Sequence, residues 1–189
     1  MGFKRGARSA VRPEASLRSG FTLLEILVAV AVFGVTMAAL TTTQVSTVAL
    51  SRTNLETSAA LDAAQSVLES IEDEDDFAQI FARWNASPGD DPVGGSSPGN
   101  VFDVRGLEPT QDDPDGRVGE VVFPGDGTQL LENANDRALG LPRDLDLDTF
   151  IDGTDHALDY RILPVLVRVR WIGTGGVHQI EIVGTVTRR

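Results

Sequence analysis

The chain has 189 residues, of which 28 are acidic and 16 basic, so its formal net charge is −12. This acidic balance argues against binding to nucleic acid, because phosphate backbones attract basic surfaces. The chain has no cysteine, which excludes disulfide bridges and thiolate metal sites.

The first 20 residues are basic and precede a continuous apolar segment. They contain five basic residues and one acidic residue, namely Lys4, Arg5, Arg8, Arg12, Arg18 and Glu14. Positive charge before a membrane span stays in the cytoplasm. We therefore expect a single-pass protein of the cytoplasmic (inner) membrane, with its N-terminus in the cytoplasm and the remainder periplasmic or otherwise extracytoplasmic.

The apolar segment 21–40 has the length of a membrane-spanning helix. Its 20 residues match a hydrocarbon core of about 30 Å. Glu25 is an anomaly there, because a carboxylate within a span costs roughly 2.5–3.5 kcal/mol on insertion scales. No small-residue cleavage site follows Leu40, so we expect the segment to remain attached.

The residues Gly20-Phe21-Thr22-Leu23-Leu24-Glu25 resemble the processing site of type IV prepilins and type II secretion pseudopilins. The resemblance implies that prepilin peptidase, a membrane aspartyl peptidase, cleaves between Gly20 and Phe21 and that Phe21 is then N-methylated. It also implies that Glu25 pairs with the N-terminal amine of a neighbouring subunit during assembly. Such pairing would offset the cost of a carboxylate in the membrane.

The expected partners follow from the same resemblance: prepilin peptidase, other pilin or pseudopilin subunits and the inner-membrane assembly platform. The expected function is that of a minor pilin or pseudopilin, a structural subunit of a type IV pilus or a type II secretion pseudopilus. An ordinary signal anchor is the simplest rival. The second rival is a calcium-dependent surface-binding protein that is anchored in the membrane and does not polymerise, and the third is a carbohydrate-active or calcium-dependent surface enzyme. A DNA-uptake pilin is a further possibility within the family, but the acidic head predicts poor DNA binding.

A long helix is predicted from about Phe21 to Glu72. The segment between Pro13 and Pro88 lacks proline, and Gly34 is its one glycine between Gly20 and Gly89. Beyond the span an apolar stripe continues at helical spacing, made of Ala60, Ala64, Val67, Leu68 and Ile71. The alternative is two helices with a hinge at the β-branched residues 41–43.

The rest of the chain predicts a short helical piece, a loop and then strands. The acidic block 72–76 should end the long helix, and Phe77, Ile80, Phe81 and Trp84 should anchor a core. Residues 85–100 are rich in turn formers and predict a loop. Period-two patterns predict strands at 101–107, 119–123, 163–172 and 178–186, the last two joined as a hairpin.

The predicted fold class is α+β: a long N-terminal helix packed on a small antiparallel sheet, in the order seen in pilins. We expect a leader at 1–20, a transmembrane half of the helix at 21–40, an amphipathic helical stem at 41–84 and a β head at 85–189. The strand segments 102–107 and 167–171 are also similar to V-type minor pilins and I-type minor pseudopilins.

One loop has the spacing of a calcium-binding site. Residues 144–155 place oxygen ligands at positions 1, 3, 5, 9 and 12 of a twelve-residue loop, with a backbone carbonyl at position 7. The predicted ligands are Asp144, Asp146, Asp148, Phe150, Asp152 and Asp155. Aspartate at position 12 resembles the loops of dockerin modules.

Two departures weaken the calcium hypothesis. Thr149 replaces the glycine expected at position 6, and Pro142 leaves no clear helix before the loop. The alternative is a solvated acidic loop whose leucines point inward. With oxygen ligands alone, zinc is disfavoured, and His156 is expected to be a bystander.

We expect no enzymatic activity, because no recognised catalytic motif is present. The two histidines, His156 and His178, lie in no nucleophile or metal-hydrolase motif. No cofactor is predicted apart from the calcium hypothesis.

Overall fold

The computed structural model describes residues 21–87, 89 and 97–188. The predicted leader at 1–20, which includes Gly20, lies outside the described residues, and so does half of the predicted loop at 85–100, namely 88 and 90–96. The chain divides into two units, one ending at Ser46 and the other beginning at Thr47.

A single α-helix, α1, spans Leu23–Glu72. The threonines at which a hinge was considered are helical, and each hydroxyl donates to the carbonyl oxygen four residues earlier. Thr41 bonds to Met37 at 2.9 Å, and Thr42 bonds to Ala38 at 3.0 Å. Such bonds satisfy hydroxyl groups in an apolar environment.

In the second unit, one face of α1 is buried in the main hydrophobic core. Ala60, Ala64 and Ile71 are fully buried, while Val67 and Leu68 pack against the same core. The small side chains at 60 and 64 allow the helix to approach its neighbours closely. The stripe predicted from the sequence is confirmed.

The helix ends at Glu72, within the acidic block, as predicted. A 3₁₀ turn, Phe77–Gln79, leads into the short helix α2, Ile80–Trp84. The side chain of Asp76 caps the turn by accepting from the N–H of Ala78. Ile80, Phe81 and Trp84 are buried, which confirms them as core anchors.

Four antiparallel strands form one sheet in the order β1-β2-β3-β4. They are β1 Val101–Phe102, β2 Gly119–Val122, β3 Ile162–Gly173 and β4 Gly176–Thr187. The predicted hairpin of β3 and β4 is confirmed over the full length of both strands. The strand predicted at 101–107 is much shorter than expected, because the chain turns at Arg105-Gly106, where Gly106 has a φ of 88°.

Alternate residues of β3 face the core. Val165, Val167, Val169 and Trp171 are buried there together, as the period-two pattern predicts. On the opposite face Leu166 packs with Leu139 and Leu141 in a second, smaller cluster. A long helix with a small antiparallel sheet confirms the predicted α+β class.

Candidate functional site

The start of α1 has the features of a helix N-terminus with a built-in cap. The Oγ1 atom of Thr22 accepts a hydrogen bond from the backbone N–H of Glu25 at 3.2 Å. The spacing Thr-x-x-Glu is that of a capping box, in which the third helical residue is a glutamate or glutamine. Glu25 also lies in the first turn, where the partial positive charge of the helix terminus favours an anion.

The first half of α1 presents apolar side chains to its surroundings. Phe21 is 80% exposed, and Leu23 and Leu24 are similarly uncovered. The helix is long and apolar enough to cross a membrane, and its most apolar 18-residue window has no buried residue. Glu25 is the one charged residue between Phe21 and Leu40, so the helix combines a span with a single carboxylate at its start.

The acidic loop brings three of the predicted calcium ligands together. The ligand atoms of Asp144, Asp146 and Asp148 lie within 4.8 Å of one another. Their carboxylates also order the loop backbone, since Asp144 accepts from the N–H groups of Leu147 and Thr149. Burial would raise the pKa of Asp144, but these backbone bonds outweigh it and the pKa is lowered.

Asp152 and Asp155, two of the other predicted ligands, accept hydrogen bonds from partners outside the trio. Asp155 Oδ1 accepts from the N–H groups of Leu130 and Ala157, at 2.9 and 3.1 Å. Asp152 Oδ1 accepts from both the N–H and the hydroxyl of Thr154. The N–H of Phe150, whose carbonyl is the sixth predicted ligand, donates to Asp148 Oδ1 at 2.7 Å. The predicted set is therefore divided, with three carboxylates together at 144, 146 and 148.

The backbone of the loop is strained at two positions. Leu147 and Thr149 have φ values of 64° and 82°, in the left-handed region that favours glycine. Thr149 occupies the position at which a calcium loop has glycine, and it adopts the left-handed conformation that glycine supplies there. Holding a β-branched residue in that region costs roughly 1–3 kcal/mol.

Two residues that the sequence did not mark as ligands lie at the base of the loop. Glu132 is 1% exposed, and its Oε1 accepts from the N–H groups of Leu145 and Asp146. His156 is 5% exposed and contacts several carboxylates. That it is a bystander and not a metal ligand stays a prediction.

The surroundings at the base of the loop raise the pKa of Asp146 and of His156. Burial raises the pKa of Asp146, and the nearby charges of Asp148 and Glu132 raise it further. Burial alone would lower the pKa of His156, but the carboxylates of Glu132, Asp159 and Asp146 outweigh it, and the pKa is raised. The base of the loop is thus a strongly negative environment.

No local pattern could have found Glu132, which lies 24 residues before His156 in a segment without regular structure. His156 was visible beside the loop, but nothing in its spacing from the aspartates indicated that its ring turns inward.

Comparison with known proteins identifies one matching family model, the prokaryotic N-terminal methylation motif, over residues 16–41. No curated protein and no solved structure gave a significant match to the chain. The matched segment contains Gly20, Phe21 and Glu25. The motif supports a type IV pilin-like protein, and together with the apolar helix it is consistent with a single-pass membrane anchor and a structural, non-enzymatic role.

Proposed function

We propose that this chain is a minor pilin or pseudopilin that assembles through α1 into a type IV pilus or a type II secretion pseudopilus. The observation that carries the proposal is the N-terminal methylation motif at 16–41, which coincides with the start of an exposed apolar helix. Minor status is favoured by the irregular head, where long segments between β2 and β3 lack regular structure.

The first step of the mechanism is processing at the membrane surface. Prepilin peptidase would cut between Gly20 and Phe21, and Phe21 would be N-methylated. The cut would leave a new amine two residues before the first residue of α1, Leu23. Until assembly, the apolar half of the helix would hold the subunit in the inner membrane, with its acidic head outside.

The second step is docking through Glu25. An unpaired carboxylate in a bilayer is costly, whereas one that pairs with an amine is tolerated. If the partner is the new amine of a neighbouring subunit, each docking event neutralises two charges. The free energy gained by pairing would thus favour polymerisation over storage in the membrane.

A substitution at Glu25 can remove its charge and keep its place in the cap of the helix. Glu25→Gln retains a residue that serves at the third position of a capping box, but removes the charge. The proposal predicts that this variant inserts into the membrane and is cleaved, yet no longer co-purifies with partner subunits or enters filaments. Glu25→Asp, which keeps the charge, should retain part of the assembly.

The matched control is Thr22→Ala, which removes the side-chain acceptor at the helix start and leaves the charge in place. It should weaken the helix terminus by about 1 kcal/mol and assemble far better than Glu25→Gln. Normal assembly of Glu25→Gln would contradict the proposed pairing.

A further inference from the structure

His156 lies inside a ring of carboxylates at the base of the acidic loop. The shortest N···O distances from its ring are 3.1 Å to Asp159, 3.5 Å to Asp152, 3.7 Å to Glu132 and 3.8 Å to Asp146. A protonated imidazole supplies one positive charge against four negative charges. Negative charge in partly buried surroundings is costly unless it is compensated, so this group favours a cation of higher charge.

The two ring nitrogens of His156 have different neighbours. Nδ1 donates to Asp159 Oδ1 at 3.1 Å, since a carboxylate accepts. Nε2 has the hydroxyl oxygen of Thr154 at 3.2 Å, Asp152 Oδ1 at 3.5 Å and Glu132 Oε2 at 3.7 Å. A bound metal would replace the Thr154 hydroxyl as the partner of this nitrogen. Metal-binding histidines commonly have one nitrogen held by a carboxylate in this way, which leaves the lone pair of the other nitrogen available to a metal.

The distances from Nε2 of His156 to the neighbouring carboxylates suit a small divalent ion. Zinc binds nitrogen and oxygen ligands at about 2.0–2.1 Å, so ligands at tetrahedral positions lie about 3.4 Å apart. The separations of 3.5 and 3.7 Å around Nε2 are close to that value. The ligand atoms of Glu132, Asp146 and His156 also lie within 4.8 Å of one another.

Glu132 is already fixed in the orientation that a ligand needs. Its Oε1 is held by the N–H groups of Leu145 and Asp146, and its Oε2 accepts a longer bond of 3.3 Å from the N–H of Asp152. A buried carboxylate with one oxygen held by the backbone loses little freedom on binding a metal.

We propose that His156, Glu132 and Asp152, with Asp146 beside them, form a binding site for a divalent transition metal ion such as Zn²⁺. The imidazole is the reason for preferring this class over calcium, since nitrogen ligands suit zinc and related ions whereas calcium takes oxygen ligands. The site shares Asp146 with the aspartate trio but does not use Asp148. Asp159 acts through His156 as a positioning residue.

The test is Zn²⁺ titration of the full-length chain in detergent after treatment with a chelator, in competition with a colorimetric zinc indicator. The wild type should bind one Zn²⁺ per chain. His156→Ala should abolish that binding, and Asp159→Asn should weaken it about 10–100-fold. His178→Ala is the matched control, because His178 is the other histidine of the chain and stacks on Trp171; it should bind as the wild type does.

A second measurement needs no variant and so does not depend on the folding of His156→Ala. In a ¹H–¹⁵N spectrum of the histidine rings, Zn²⁺ should shift Nε2 of one histidine, assigned to His156, and leave His178 unchanged. The proposal is overturned if neither ring responds, if His156→Ala and His178→Ala bind Zn²⁺ equally, or if Ca²⁺ binds and Zn²⁺ does not.

Discussion

Leu68 of α1 packs directly over Gly184 of β4. A β-carbon at position 184 would lie 2.7 Å from Leu68 Cδ1, closer than real contacts allow. Glycine at this point in the edge strand therefore permits the close approach of helix and sheet within the second unit. Gly184→Ala should destabilise the fold by about 1–3 kcal/mol, the usual cost of overpacking.

The cycle of Gly184→Ala, Leu68→Ala and the double variant isolates this contact. Denaturant unfolding followed by tryptophan fluorescence should show that Gly184→Ala costs less when Leu68 has already been shortened. Strictly additive costs would mean that the two positions do not compete for space.

Tyr160 predicts a change in stability at alkaline pH. Its hydroxyl donates to the carbonyl of Phe77 and accepts from the N–H of Phe81. Burial raises its pKa to about 12, above the ordinary value of about 10. The neutral form is thus favoured in the folded state, so its contribution to stability is complete below about pH 10 and is lost as the pH rises towards 12.

Tyr160 is the single tyrosine of the chain, so the near-ultraviolet absorbance of the phenolate reports on this residue alone. In the folded protein the midpoint should lie near pH 12, and in denaturant near pH 10. Tyr160→Phe should remove the tyrosine signal. A folded midpoint near pH 10 would contradict the buried position of the hydroxyl.

Thr149 should be replaceable by glycine with a gain in stability. Its φ of 82° is strained for threonine and relaxed for glycine. Thr149→Gly should raise the free energy of unfolding by about 1 kcal/mol. Thr149→Ala removes the branched side chain but keeps a β-carbon at positive φ, so thermal unfolding should show a smaller gain for it. A loss of stability in Thr149→Gly would contradict the strain.

The fold was largely predictable because its strongest signals are periodic. The absence of proline and the apolar stripe indicated α1, and the alternation through Val165, Val167 and Val169 indicated β3. The strand predicted at 101–107 ends at Phe102. Its length could not be predicted, because a short apolar run does not indicate where the partner strand ends. β1 pairs with β2 at two positions only.

The candidate sites were less predictable for a physical reason. Glu25 was found because a charge in an apolar segment is visible from its neighbours alone. Glu132 and His156 come into contact through the folding of the chain between β2 and β3. Such a contact between distant residues produces no regular spacing in the sequence. The positive φ of Thr149 could likewise not be predicted, because threonine is a residue type that rarely adopts this backbone conformation.

Calcium binding by the aspartate trio stays a prediction, with a direct test. Calorimetric titration of the full-length chain with Ca²⁺ should give heat that Asp146→Ala and Asp148→Ala abolish, because both remove an oxygen ligand from the trio. Asp62→Ala, an exposed carboxylate on α1, is the control and should leave the heat unchanged. Equal heats in all three variants would remove the loop as the calcium site.

Mass analysis of the N-terminus of the protein purified from its membrane tests the proposed function most directly. Processing at the methylation motif predicts a chain that begins with N-methylated Phe21 and lacks residues 1–20. Co-expression with an inactive prepilin peptidase should leave the leader attached. A mature chain that retains residues 1–20, or that is cut at another bond, would contradict assembly as a pilin-like subunit.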